Sequence, residues 1–284
     1  MEELDTMVRS DEVQEARPPA PPQIEAPPFV YAIGHVEPRF PSLALEKEVA
    51  QAMGRGETAG LTDRHALQTL VAERSNRYLA RQICWIFVIE GLETYILGPR
   101  DPTDLDLLID SLRGDPRRDD VDVVIGVRGP IAPPEVCGGL GLPMLAFDQL
   151  YSFDRDAIIA SIPRPESIPQ EREDEYRASV GELFDRIGQM ADNAGATDEH
   201  RALNYLVVRY PAIYAATAEA HERNASLSKV DVRPSRLNGA RKIVDVVFGY
   251  TDRKTDVTEQ YFVRVDVTEQ FPFLVTKLSP FYER

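Results

Sequence analysis

The chain has 284 residues, 43% of them hydrophobic, enough for a substantial core in one large domain or two domains of ordinary size. Its 47 acidic and 32 basic residues give a net charge of −15, which repels phosphate backbones and anionic lipids. Nucleic acid and membranes are therefore not expected as partners, whereas a basic or neutral peptide would be attracted to such a surface.

The sequence also predicts the compartment. No apolar run reaches the roughly 18–20 residues that a membrane-spanning helix needs, and the N-terminus is acidic where a secretory signal would be basic. The two cysteines, Cys84 and Cys137, lie in apolar and glycine-rich surroundings and do not form a paired framework, which suits a reducing compartment. We predict a cytoplasmic protein without disulfides.

Residues 1–28 combine clustered acidic residues with repeated prolines, Pro18, Pro19, Pro21, Pro22, Pro27 and Pro28. Such a composition buries too little apolar surface to offset chain entropy, so we predict a disordered or polyproline-like tail. It is either a linker or a docking arm.

The next segment begins with a short predicted strand, Val30–Ile33. Ser42 is a suitable N-cap for a helix that ends near Gly54. A second helix is predicted from Asp63, with apolar residues at helical spacing that allow it to continue towards Ile83.

A β-hairpin follows, with strands Cys84–Val88 and Thr94–Leu97 around a turn at Glu90-Gly91. Pro102 opens a predicted acidic helix through Leu112. The strand Val121–Val127 comes next, and we expect it to end at Gly126 and Gly129, before a rigid loop of prolines. Met144–Phe147 is a predicted return strand, Phe153–Ser161 a predicted helix, and Pro163, Pro165 and Pro169 mark an internal boundary.

Residues 167–284 are predicted to be helical first and then β. The helices are Glu171–Ala194, Asp198–Val208 and Pro211–Arg223, and the strands are Lys229–Val232, Lys242–Tyr250, Val257–Asp266 and Phe273–Leu278. This order predicts an α+β fold with mixed or antiparallel sheets, packed helices and a C-terminal antiparallel meander. We expect the unit of residues 29–166 to pack with residues 167–284.

Several blocks then carry a resemblance to a known family: Tyr31-Ala32-Ile33-Gly34, Glu37-Pro38-Arg39-Phe40-Pro41, Asn76-Arg77-Tyr78-Leu79-Ala80-Arg81-Gln82, Ile89-Glu90-Gly91-Leu92-Glu93-Thr94-Tyr95, Pro99-Arg100-Asp101-Pro102 and Val127-Arg128-Gly129-Pro130-Ile131-Ala132-Pro133-Pro134. In this order they resemble the C-terminal domain of unknown function of cyanobactin maturation proteases of the patellamide type. The resemblance spans residue 29 onward and is densest over 29–166. It implies a role in maturing a ribosomally made, post-translationally modified peptide, without the protease activity, which that family carries in a separate subtilisin-like domain.

The residues themselves offer few catalytic candidates. His35, His65, His200 and His221 fall in no recognisable motif, so a Ser-His-Asp triad is not indicated. Cys137 is the better nucleophile candidate of the two cysteines, although we favour a small structural cysteine at this position. Cys137 with a histidine and an acid is also the one conceivable zinc site, and no other cofactor is evident.

Five arginines lie inside the family-like blocks of this acidic protein: Arg39, Arg77, Arg81, Arg100 and Arg128. Their guanidinium groups can bind acidic residues of a leader peptide or a peptide C-terminus. We favour the alternative, in which they brace the fold by pairing with acids inside it, namely Glu37, Glu90, Glu93 and Asp101.

Three functions are compatible with these observations. The leading one is a non-catalytic accessory module, a homo-oligomer that binds the precursor peptide or scaffolds the processing enzymes. The alternatives are a peptide-modifying enzyme of unrecognised chemistry and a purely structural assembly domain.

Overall fold

The computed structural model describes residues 28–54, 63–113, 120–154, 159–160, 164, 169–188, 193–237 and 239–282, so the predicted tail lies outside the described residues except for Pro28. The strands and helices in chain order are β1 (Phe29–Arg39), α1 (Leu43–Met53), α2 (Asp63–Ala72), α3 (Arg77–Ala80), β2 (Cys84–Ile89), β3 (Leu92–Pro99), α4 (Leu105–Asp110), β4 (Asp120–Ile131), β5 (Pro143–Asp154), α5 (Glu173–Gly188), α6 (Asp198–Arg209), α7 (Ala212–Glu222), β6 (Ala225–Pro234), β7 (Ile243–Asp252), β8 (Thr258–Asp266), β9 (Phe273–Leu274) and β10 (Ser279–Pro280).

The first five strands close into a barrel in the order β1-β2-β3-β5-β4, with β4 returning to pair with β1. All neighbours are antiparallel except β3 and β5, which run parallel from the pair Ile96 and Met144. The predicted hairpin is present: Glu90 and Gly91 form its turn with φ angles of 49° and 78°. The closure was not predicted, because alternation along one strand does not specify its neighbours.

Strand β4 contradicts the expectation that it ends at Gly126 and Gly129, because it continues to Ile131. A Cβ atom at Gly126 would lie 2.3 Å from the Ala146 carbonyl oxygen, so this glycine permits close approach of β5 at a bulge. Pro130 lies where the pairing with β5 shifts register, a position at which proline is tolerated.

The prediction that a helix begins at Phe153 was also wrong. Phe153 and Asp154 are the last residues of β5, where Phe153 pairs with Val121. Apart from residues 159 and 160, the remainder of that predicted helix lies outside the described residues.

The C-terminal sheet has the order β10-β8-β7-β6, and β9 also pairs with β8. Its strands form the predicted antiparallel meander, and α5, α6 and α7 pack on one face of it. The core between helices and sheet includes Val180, Leu206, Ile213, Phe248 and Val263, each at most 1% exposed. The predicted α+β class, with mixed and antiparallel sheets, is confirmed.

Hydrogen bonds connect the barrel to the segment before α6. The Tyr31 amide of β1 donates to the Gly195 carbonyl at 2.9 Å, and the Asn204 side chain of α6 donates to the Tyr31 carbonyl at 2.8 Å. The Tyr95 hydroxyl donates to the Ala194 carbonyl at 2.8 Å. β1 pairs with β2 only from His35 onward, so Gly195 takes the edge of β1 that β2 leaves open.

Candidate functional site

The segment after α2 determines where three arginines lie. The prediction that this helix runs on towards Ile83 was wrong: α2 ends at Ala72, and Glu73 has an extended backbone with φ −63° and ψ 132°. A 3₁₀ turn, Arg74–Asn76, and the short helix α3 follow. Because of this change of direction, Arg74, Arg77 and Arg81 do not lie on the single long helix that the sequence predicts.

The opposite wall comes from the segment that precedes α4. Asp101 caps a 3₁₀ turn, Pro102–Asp104, by accepting a hydrogen bond from the Thr103 amide at 2.9 Å. The Thr103 amide and hydroxyl both stabilise the ionised carboxylate, which lowers the pKa of Asp101. Asp101 therefore fixes this wall. The alternative that Asp101 braces an arginine is not met, because Asp101 forms no ion pair within the described residues.

A groove lies between the two walls, and we call it the arginine groove. Its lining residues are Arg74, Ser75, Arg77, Tyr78, Arg81, Pro102, Thr103, Leu105 and Asp106. It brings together two of the predicted binding residues, Arg77 and Arg81, and adds Arg74, which sequence reasoning missed. The spacing i, i+3, i+7 was the signal that would have found Arg74, because such residues share one side of a helix.

The three arginines differ in their partners. Arg77 forms an ion pair with Asp106, and its side chain is 32% exposed. Arg74 and Arg81 are exposed, and their side chains make no hydrogen bond or ion pair within the described residues. Beside them Tyr78 is 47% exposed and donates its hydroxyl hydrogen to Glu48 of α1 at 2.7 Å. The groove thus contains two guanidinium groups that are available to a carboxylate.

The other three predicted arginines do not line this groove. Arg39 forms an ion pair with Glu93, one of the acids expected as a brace. Arg100 pairs with Asp148 at 3.2 Å, and Gln270 donates to the same carboxylate at 2.6 Å. The Arg128 amide donates to the Pro28 carbonyl at 2.9 Å.

The two cysteines contradict the sequence prediction. Cys84 of β2 and Cys137 form a disulfide, with their Cα atoms 5.5 Å apart. While this disulfide is intact, Cys137 has no thiol to act as a nucleophile or to bind zinc, and the prediction of unpaired cysteines was wrong. The pairing was not evident because the two residues are 53 positions apart, and barrel closure is what brings them together.

No group of three or more His, Cys, Asp or Glu side chains that could hold a metal ion occurs within the described ranges. None of the helices in those ranges is long and apolar enough to cross a membrane.

A buried carboxylate was also missed by the sequence analysis. Asp122 of β4 is 5% exposed and accepts hydrogen bonds from the Val36 amide at 2.7 Å and the Ser152 hydroxyl at 2.5 Å. Burial raises the pKa of Asp122 despite these hydrogen bonds, because it disfavours the ionised form. The signal was an acid between the apolar residues Val121 and Val123. Its bonds join β4 to β1 and β5, so we assign it a structural role.

Residues 170–281 match the family described as PatG C-terminal. A solved structure titled "PatG Domain of Unknown Function" is similar over 89% of this chain and 98% of its own, with a TM-score of 0.68 and 18% sequence identity. No curated protein matches.

These two similarities overlap in the C-terminal part, and the structural one extends over most of the chain. The family match lies in the C-terminal half, whereas the blocks that carry the sequence resemblance are densest over 29–166, where the likeness is one of fold. Together they confirm the predicted resemblance to the PatG C-terminal type of domain of unknown function.

Proposed function

We propose that this chain is a non-catalytic accessory module in the maturation of a ribosomally made, post-translationally modified peptide, and that it binds the precursor peptide through the arginine groove. The similarity to the PatG C-terminal family supports the association with patellamide-type maturation. The single observation that carries the binding step is the pair of exposed guanidinium groups of Arg74 and Arg81 beside Arg77, which have no partner among the described residues.

The physical argument concerns charge. In a protein with net charge −15, most arginines gain by pairing with nearby acids, as Arg39, Arg77 and Arg100 do. Guanidinium groups left without a partner in a groove can bind peptide carboxylates in a bidentate manner. The overall negative charge opposes the approach of an acidic peptide, so we expect recognition of a short acidic segment or a C-terminal carboxylate within a peptide that is otherwise neutral or basic.

The remaining parts of the proposal are a cytoplasmic location, assembly into a homo-oligomer, and the peptide-processing enzymes as further partners. A peptide-modifying enzyme is the alternative, and Cys137 cannot be its nucleophile while its sulfur is bonded to Cys84. An assembly domain without peptide affinity is the second alternative.

The binding step is tested by fluorescence anisotropy with two labelled peptides, one carrying glutamates and a free C-terminus and the other its glutamine-substituted, amidated counterpart. We expect the acidic peptide to bind and the double variant R74A/R81A to weaken binding about a hundredfold or more, because each of the two lost charge-assisted hydrogen bonds contributes about 1.5–3 kcal/mol. The matched control is R236A/R253A, which removes two exposed arginines away from the groove.

The outcomes separate the three functions. Equal binding of both peptides, or equal loss in the two double variants, would contradict a specific arginine groove. Absence of binding would favour the assembly domain. Native mass spectrometry of the same mixture would reveal a change in peptide mass, and such a change would favour the enzyme.

A further inference from the structure

The Cys84–Cys137 disulfide attaches a surface segment, which we call the latch segment, residues 132–142, to the β2–β3 hairpin. Under it lies a small apolar cluster that includes Cys84, Ile86, Val88 and Ile96, each at most 7% exposed. The latch segment covers this cluster with partly buried side chains, including Val136, Leu140 and Leu142.

The base and the tip of the latch segment are held differently. At the base, the Ala132 amide donates to the Leu142 carbonyl at 2.8 Å, so the two ends of the segment are fastened by a backbone hydrogen bond. At the tip, Cys137, Gly138 and Gly139 have φ angles of 52°, 67° and 89°. A left-handed conformation is unfavourable for a residue with a Cβ atom, so Cys137 keeps it only while other constraints hold it there. The disulfide is the covalent constraint at this residue.

The two cysteines also differ in burial. Cys84 is 6% exposed, whereas Cys137 is half-buried and is followed by two exposed glycines. We therefore expect an external thiolate to attack at Cys137, with Cys84 as the leaving thiolate.

We propose that Cys84–Cys137 is a thiol–disulfide exchange site, and that its reduction by a dithiol releases the tip of the latch segment and uncovers the apolar cluster of the hairpin. The first thiol of the reductant forms a mixed disulfide with Cys137, and Cys84 leaves and takes up a proton. The second thiol then attacks the mixed disulfide, which yields the oxidised, cyclic reductant and the Cys137 thiol. Two electrons and two protons pass from the dithiol to the two cysteines. In a reducing compartment, a disulfide of this kind usually acts as a redox sensor.

Hydrogen–deuterium exchange of the full chain, with and without dithiothreitol, tests this inference. We expect amides of residues 133–141 to exchange about tenfold faster after reduction, while the β2 and β3 amides, which pair within the barrel, keep their protection. The uncovered cluster should also bind more of the apolar dye ANS. The variant C84S/C137S should show the fast exchange without reductant and should not respond to it.

Trp85, the single tryptophan, controls for unfolding, because it lies at 3% exposure in β2 and its emission reports the integrity of the barrel. Unchanged exchange in residues 133–141 after complete reduction would overturn the proposal. A red-shifted Trp85 emission after reduction would also overturn it, since the disulfide would then hold the whole barrel together. Resistance of the folded protein to dithiothreitol would equally refute an exchange site.

Discussion

In the C-terminal half, Arg201 of α6 is 2% exposed and donates to the carbonyls of Val267, Glu269 and Gln270. In the barrel half, by contrast, Arg74 and Arg81 are exposed in the arginine groove and have no partner in the part of the chain that the structure describes. Asp198 adds an ion pair to Arg201 at 3.3 Å. Burial lowers the pKa of Arg201, and the negative charges of Asp198 and Glu269 counteract this effect. The difference teaches that the same side chain stabilises the fold where its donors are occupied and is available for a ligand where they are not.

The largest loss of stability should come from replacing the buried arginine, Arg201. R201M leaves three backbone carbonyls without their donor and should lower the free energy of unfolding by about 3–5 kcal/mol. R81M in the groove should change it by less than about 0.5 kcal/mol, because exposed positions without partners contribute little. Urea denaturation of both variants measures the difference, and equal losses would abolish the distinction.

The junction between the halves provides the next test. Gly195 has a φ of 69°, and a Cβ atom there would lie 2.3 Å from the Tyr31 carbonyl oxygen, so G195A should cost about 2–4 kcal/mol. Gly91 has a φ of 78° but no atom within 4 Å of a Cβ position, so G91A should cost about 1 kcal/mol. A smaller loss for G195A than for G91A in thermal unfolding would show that the contact between β1 and residue 195 contributes little to stability.

The smallest effects come from two tyrosines, one in each half. Tyr250 of β7 shares a hydrogen bond with Thr217 at 2.9 Å, whereas the buried hydroxyl of Tyr31 in β1 has no hydrogen-bond partner within the described residues. Y250F should therefore cost about 1 kcal/mol at pH 7, and Y31F should cost about zero. A loss in Y31F as large as that in Y250F would mean that Arg209, which lies close enough to favour ionised Tyr31, does bond to that hydroxyl.

The same tyrosines predict a dependence on alkaline pH. Burial raises the pKa of Tyr31 and of Tyr250 to about 12. Unfolded tyrosine ionises near about pH 10, so the folded chain holds these protons more tightly. The contribution of these two tyrosines to the free energy of unfolding is therefore fully present below about pH 10 and is lost as the pH rises towards about 12. Each phenylalanine variant should lose less stability than the parent over that window, as urea titrations at both pH values would record.

The elements that could be predicted are those whose signals are local. Ser42 caps α1 through the Leu45 amide, and Glu90-Gly91 turns the first hairpin, because both depend on residues next to each other in the chain. The C-terminal meander was predictable for the same reason, since its main strands β6, β7 and β8 pair with their sequence neighbours.

The features that could not be predicted depend on distant partners. The parallel pairing of β3 with β5, the return of β4 to β1 and the Cys84–Cys137 bond each join segments that are far apart in sequence. Two residues of the candidate site, Arg77 and Arg81, were identified from the sequence. The groove itself was not, because it depends on the break after Ala72, and the apolar spacing continues across that break without interruption.

The open C-terminal sheet also has a consequence for the solubility of the protein. In the closed barrel each strand has two sheet neighbours, whereas β6 has a single one among the described residues. This strand has a register shift between Leu227 and Lys229, a lysine side chain that is 66% exposed, and Pro234 as its last residue. Bulges, lysines and prolines at a sheet edge hinder pairing with another chain. Protection against edge-to-edge aggregation therefore depends on a few residues of β6, and these residues make that edge a poor template for the addition of a peptide strand.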